Sequence, residues 1–123
     1  MRIERCFTKS ETSPYDLIDF TFTTSEIRNP DGSVVFKADD VEVPASWSQV
    51  ASDVLAQKYF RKAGIPAHLK KVPEEDVPEF LWRSEPDKPA MKGMAKEDQF
   101  GGETSSKQVF DRLAGTWTYW GWK

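Results

Sequence analysis

Residues 115 to 123 read GTWTYWGWK, and they hold three of the chain's five tryptophans and one of its three tyrosines. This stretch constrains the fold more than any other, because something must cover it. A buried tryptophan removes roughly 200 Å² from water, worth up to about 5 kcal/mol at about 25 cal/mol per Å². Leaving these indoles wet would forgo on the order of 10 kcal/mol, comparable to the net stability of a whole domain. The 123-residue chain is one domain at most and lean, with 38% apolar and 30% charged residues. The tail can fold back onto this small core or lie on protein beyond it. The limited supply of apolar partners favours the second.

Upstream, the pattern predicts an α+β arrangement. Residues 1 to 13 are polar with apolar spots at Ile3 and Phe7, which reads as an extended arm. Phe20 and Phe22 alternate with Thr21 and Thr23, the period of a half-buried strand. NPDG follows: Pro30 presets φ, Asp31 tolerates the third turn position and Gly32 allows positive φ. A β-hairpin, roughly 20–28 with 33–37, is predicted, with a short third strand at Val41–Val43 before Pro44.

PASWSQVASDVLAQKYFRKAGIP then carries every mark of a helix over 46–63. Ser46 with Gln49 spells a capping box, and Trp47, Val50, Ala51, Val54, Leu55 and Tyr59 fall on one apolar stripe. Lys58, Arg61 and Lys62 suit the negative end of the helix dipole, and Gly64, Ile65 and Pro66 read as a stop. A second helix opens at Thr104–Ser105, where Ser105 and Gln108 repeat the box. Val109, Phe110, Leu113, Ala114, Trp117 and Trp120 form its stripe, and no C-cap follows. Between the two, five of the eight prolines lie from 66 to 89, and nine acidic residues face four basic ones from 72 to 103. That segment reads as a linker or a strap laid over another surface, with VPEFLWR as one helical turn docking Phe80, Leu81 and Trp82. The organisation is therefore 1–69, hairpin plus capped helix; 70–103, Pro-rich acidic strap; and 104–123, aromatic helix.

Several functions are excluded or weak. With one cysteine, Cys6, and one histidine, His68, no internal disulfide and no Cys/His zinc site can form. No histidine accompanies Cys6 in sequence, so it reads as an incidental cysteine, and His68 reads as a solvated loop residue. The pairs Asp39–Asp40 and Glu74–Glu75–Asp76 read as turn and solvation residues. Neither phosphate-loop nor dinucleotide glycine pattern occurs. A net charge of −3 gives no pull toward nucleic acid or anionic lipid. A mean hydropathy of −0.62 and the absence of a signal-type N-terminus predict a cytosolic protein with no membrane span. One basic run, KYFRKAGIPAHLKK, offers Lys58, Arg61, Lys62, Lys70 and Lys71 as a possible phosphate-binding set. Its plainer reading is a basic helix end facing the acidic strap.

NPDGSVVF, VPASWSQVA, QKYFRKAG and AGTWTYWGWK together resemble the N-terminal region of bacterial cobalamin-dependent (class II) ribonucleotide reductases. The resemblance is close over about 20–69 and 103–123 and looser over 70–102. It implies that an α/β barrel follows, converting ribonucleoside diphosphates to deoxyribonucleotides by thiyl-radical chemistry. It places adenosylcobalamin, the catalytic cysteines and their assisting glutamate and asparagine in that barrel, and the cysteines served by a thioredoxin-type reductant at the far C-terminus. None has a counterpart here, and Cys6 matches no catalytic motif of the family. The resemblance thus implies a piece with no catalytic residue, bound cofactor or metal, no complete barrel, and no ATP-cone-type regulatory motif. Its docking surface would be Trp117, Tyr119, Trp120 and Trp122, and its partner the rest of the reductase chain. Two alternatives remain open: a split subunit or free-standing interaction module, and a phosphate- or nucleotide-binding regulator using residues 58–71.

Overall fold

The computed structural model describes residues 4–123, so the Ile3 end of the expected arm lies outside the described residues. The chain first acquires regular structure at a 3-10 turn, Pro14–Leu17, capped by the Ser13 hydroxyl, which accepts from the Tyr15 N–H. Tyr15 then reaches the far end of the sequence. Its hydroxyl donates to Asp111 Oδ1 at 2.6 Å, and its ring meets Phe20 edge-on at 5.8 Å.

The hairpin forms as the sequence predicts, with β1 at Phe20–Arg28 and β2 at Val34–Pro44. At the turn, Asn29 donates to Ser33 O and Gly32 adopts φ +88°, the left-handed region where a side chain would be strained. The expected separate strand at Val41–Val43 is the continuation of β2. Thr23 faces Val41 while Ser25 faces Ala38, so β2 carries one extra residue, and Asp40 absorbs it at φ +52°. The bulge lets Val41 and Val43 enter the core while the turn end stays exposed.

The helix expected over 46–63 is shorter and differently capped. It is α1, Gln49–Val54, running directly into a π turn, Leu55–Tyr59. Ser48 is the N-cap, accepting from Ala51 N, so the Ser46–Gln49 box does not form. Trp47 N donates to Pro44 O, a turn that holds residues 44–47 out of the helix. Gln49 instead cross-links to the hairpin, donating from Nε2 to Thr24 O at 3.1 Å and accepting from Thr23 Oγ1 at 3.0 Å. Gly64 does take a positive φ, +81°, but the helix has already ended at Tyr59, so Gly64 turns the following loop rather than capping the helix.

The buried side of α1 also differs from the expected stripe. Ser52, Leu55, Ala56 and Phe60 point inward, while Val50, Val54 and Tyr59 are exposed. The core joins Val41 and Val43 of β2, Leu55, Ala56 and Phe60, and Val109 from the last helix, with Phe36, Ala38, Trp47 and Leu113 packed at its margin.

The strap is built of small elements. β3 (Ile65–Pro66) pairs with β6 (Phe100–Gly101), and β4 (Leu69–Lys71) with β5 (Ser84–Pro86), both antiparallel. A 3-10 turn at Glu79–Leu81 buries Leu81, and Trp82 Nε1 donates to Val77 O, but Phe80 stays exposed. A single turn, α2 (Lys88–Met91), is capped by Asp87 and buries Met91. The last helix, α3, spans Ser106–Trp122. The fold is α+β, made of two-stranded ladders and helices, with no closed barrel among the described residues. No helix among them is long and apolar enough to cross a membrane.

Candidate docking interface

α3 begins where the sequence says it should. The Ser105 hydroxyl accepts from Lys107 N, and Gln108 Oε1 accepts from Ser105 N at 3.0 Å and Thr104 N at 2.8 Å. Ser105 Oγ also donates to Glu42 Oε1 at 2.6 Å, and Glu42 N donates to Thr104 O, which pins the helix start to β2. From this anchor the first half of α3 lays Val109 into the core and Leu113 against it. Phe110 meets Trp47 edge-on, with centroids 5.8 Å apart and planes at 72°.

At about 100° per residue, Phe110, Leu113, Trp117 and Trp120 share one face of α3. The core ends at Leu113, and the face does not. Trp117 is 63% exposed and Trp120 69%. Tyr119 and Trp122 lie on the opposite side, against the strap. The Tyr119 hydroxyl donates to Glu74 Oε1 at 2.7 Å, and Trp122 Nε1 donates to Asp76 O at 2.7 Å. That hydrogen bond pushes the Tyr119 pKa up and holds the Glu74 carboxyl below its ordinary range. The four aromatic residues expected to form one surface are thus divided: Tyr119 and Trp122 hydrogen-bond the strap, Trp122 with 54% of its surface still exposed, and Trp117 and Trp120 stand bare.

The middle of α3 is locked by charge. Arg112 binds Glu103, whose side chain is nearly buried, and also donates from Nη2 to Tyr59 O at 2.8 Å. Glu103 Oε1 accepts from Arg61 N at 2.7 Å. Burial alone would raise the Glu103 pKa. The Arg112 hydrogen bond, the Arg61 N–H and the two guanidinium charges outweigh it, and the carboxyl lies below its ordinary value.

The basic set does not converge as a group. Lys62 hydrogen-bonds Ala56 O and sits 4.4 Å from the Phe36 ring centroid. Lys70 pairs with Glu85 at 3.3 Å, and Lys58 is exposed. Arg61 and Lys71 do line one open groove of about 1030 Å³ between α3 and the strap, joined by Arg83, which the sequence did not single out. Lys71 Nζ donates there to Glu79 O at 2.9 Å. The sequence reading also missed an apolar concavity of about 290 Å³ on the outer side of α1, lined by Trp47, Ala51, Val54, Leu55 and Tyr59. Its signal was present, since these residues belong to the stripe assigned to the core.

Comparison with known proteins matches this architecture to a family. Residues 21–123 fit the family described as class II vitamin B12-dependent ribonucleotide reductase. The chain is 69% identical over its full length to the vitamin B12-dependent ribonucleotide reductase of Bradyrhizobium diazoefficiens and 63% identical to that of Agrobacterium fabrum, covering 10% of each. A Streptomyces avermitilis protein of the same name is 39% identical over 64 residues, 51% of this chain and 7% of that protein. The chain thus spans about a tenth of the length of its full-length-matching relatives. With the family fit running through the hairpin, the strap and the aromatic helix alike, the chain belongs to the class II vitamin B12-dependent ribonucleotide reductases, as part of their N-terminal region.

Proposed function

We propose that these residues form a non-catalytic docking element of a cytosolic, adenosylcobalamin-dependent ribonucleoside-diphosphate reductase. The element packs on the rest of that chain, where ribonucleotides are reduced with electrons from a thioredoxin-type donor. One observation carries the reading: the face of α3 that seats Val109 and Leu113 continues bare through Trp117 and Trp120. Exposed indoles in register with a core face are what a helix presents when its packing surface continues onto other protein. The larger groove is open and mixes Arg61, Lys71, Arg83 and Arg112 with Glu103, Asp111 and apolar side chains. The chemistry of the cofactor is assigned to the remainder of the reductase, a reading supported by relatives named for vitamin B12 that are about ten times as long.

In the full-length reductase, Trp117→Ser with Trp120→Ser is expected to loosen this region. Limited proteolysis between 70 and 123 should accelerate roughly tenfold or more, the factor that about 1.4 kcal/mol of lost docking energy produces. Unchanged cleavage would overturn the docking role. Supplied with ribonucleotide, adenosylcobalamin and dithiol, the 123-residue region alone is expected to yield no deoxy product. Turnover would refute its non-catalytic assignment.

A second reading rests on the groove that gathers Arg61, Lys71 and Arg83. These three cations, which share the cleft with Asp111 and the paired Arg112 and Glu103, support a narrowed form of the phosphate-binding alternative. Calorimetry of the full-length protein, wild type against Arg61→Ala with Arg83→Ala, tests it with ATP and dNTPs. Identical heats would remove it.

A further inference from the structure

α1 and its π turn are apolar on two sides. One side, Leu55, Ala56 and Phe60, closes the core. The other holds Val50 at 72% exposure, Val54 at 47% and Tyr59 at 55%. A second apolar side on such a helix, flanked by the polar Gln49, Asp53 and Lys58, is surface of the kind that packs on further protein. Beside the exposed residues lies the concavity, lined by Trp47, Val54, Leu55 and Tyr59 around the small Ala51. A small residue ringed by larger ones on a helix surface is the hole into which a crossing helix sets a side chain.

We propose that this outer face of α1 seats an apolar α-helix from the part of the reductase chain beyond these 123 residues. The inference rests on the reading that this region docks within a longer reductase, and it adds a second surface, independent of Trp117 and Trp120. The choice of occupant follows from three facts. The lining side chains are aliphatic and aromatic, so the seat offers a phosphate or a nucleotide no charged partner. The apolar stripes of the described helices are already engaged or lie on this face and on α3 itself. And the relatives carry about ten times this length of chain, which supplies the missing partner in the same polypeptide. Trp47 touches both sites, lining the hole and meeting Phe110 edge-on, so the new seat adjoins the face that leads to Trp117.

The test uses the full-length reductase with single cysteines at Val54, at Trp117 and, as an exposed reference, at Val35, which is 60% exposed on β2. Maleimide labelling of each site is followed by peptide mass spectrometry, so that other thiols do not interfere. Val54→Cys is expected to label about a hundredfold more slowly than Val35→Cys, as for a site reached only through local opening. A photo-cross-linker at position 54 is expected to join peptides beyond residue 123, at positions spaced three or four apart. Equal labelling at 54 and 35 overturns the proposal. If Trp117→Cys is protected in that case, the docking role survives without the second seat; if it labels freely too, both readings fall. Protection that disappears on dilution, or cross-links to a second copy, assigns the seat to self-association and likewise overturns the proposal.

Discussion

Arg112 holds Glu103 in a two-point grip, Nη2 to Oε1 at 2.9 Å and Nε to Oε2 at 3.3 Å, and the same carboxylate receives the Arg61 N–H. One ion pair thereby joins the end of the strap, the residues after the π turn and the middle of α3. Removing the guanidinium leaves a nearly buried carboxylate without its counter-charge. Breaking such a pair costs about 3–5 kcal/mol when both partners are buried, and the partial exposure of Arg112 reduces this to about 2–3 kcal/mol. Arg112→Met is expected to lower stability by that amount in urea denaturation. A loss below about 0.5 kcal/mol would show that the grip is decorative.

The same pair sets an acid limb. The folded Glu103 carboxyl has a lowered pKa, so the folded state favours its ionised form. Its stabilisation is full above the unfolded value of about 4.3 and is lost as pH falls through the lower folded value. Glu103→Gln is expected to flatten the decline of Tm with pH below about 4.3. An unchanged slope would assign the decline to other carboxylates.

Two glycines are expected to respond in opposite directions. A Cβ on Gly102 would meet Lys62 O at 3.0 Å and Arg61 O at 3.1 Å, backbone atoms that cannot swing away. Gly102→Ala should cost about 1–3 kcal/mol. Gly115 lies inside α3 with nothing within 4 Å of that point, so Gly115→Ala should stabilise by about 0.5–1 kcal/mol through helix propensity. Thermal melts of both variants decide whether backbone proximity or conformational freedom governs each site.

Ser105→Ala removes a cap and a tether together, since the hydroxyl accepts from Lys107 N and donates to Glu42. The expected loss is about 1–2 kcal/mol. Ser105→Asp keeps an acceptor for the helix but sets a carboxylate against Glu42, and should recover little. Full recovery by Asp would show that capping alone matters.

Along the single face of α3, cost should follow cover rather than hydrophobicity. In the 123-residue region, Val109→Ala removes a fully packed side chain and should cost about 2 kcal/mol. Trp117→Ala removes a far larger one and should stay within about 0.5 kcal/mol. A large effect at Trp117 in this short chain would mean that its ring is covered by the region itself.

Features that depend on neighbours in sequence were legible. The NPDG turn, the Ser105–Gln108 box and the strand at 20–23 need only residues a few positions apart, and each forms, but the half-buried alternation on that strand does not, because Phe22 is 64% exposed. The first helix shows where that reach ends. Periodicity reveals which residues share a face, but not which face this chain covers. The stripe of Trp47, Val50, Val54 and Tyr59 is real, yet the hairpin took the side containing Ser52 and Ala56. Ser46 and Ser48 competed as caps, and the turn from Pro44 to Trp47 decided for Ser48. The basic run looked like one patch because its members are close in sequence, but the chain reverses at Gly64 and sends Lys62, Lys70 and Lys71 to different partners. The division of the last aromatic residues follows from helical period, although the strap that claims Tyr119 and Trp122 could only be found in three dimensions.

The Arg112 grip also bears on kinetics. Its reach to Tyr59 spans 53 residues, whereas the hairpin closes across the short connection from Asn29 to Ser33. Closing a long loop is entropically slower than zipping a local one, so the ribbon should form early and the clamp last. Interactions absent from the transition state act mainly on the rate of escape from the native basin. The clamp would thus function as a latch, setting the lifetime of the assembled element far more than the speed at which it is reached.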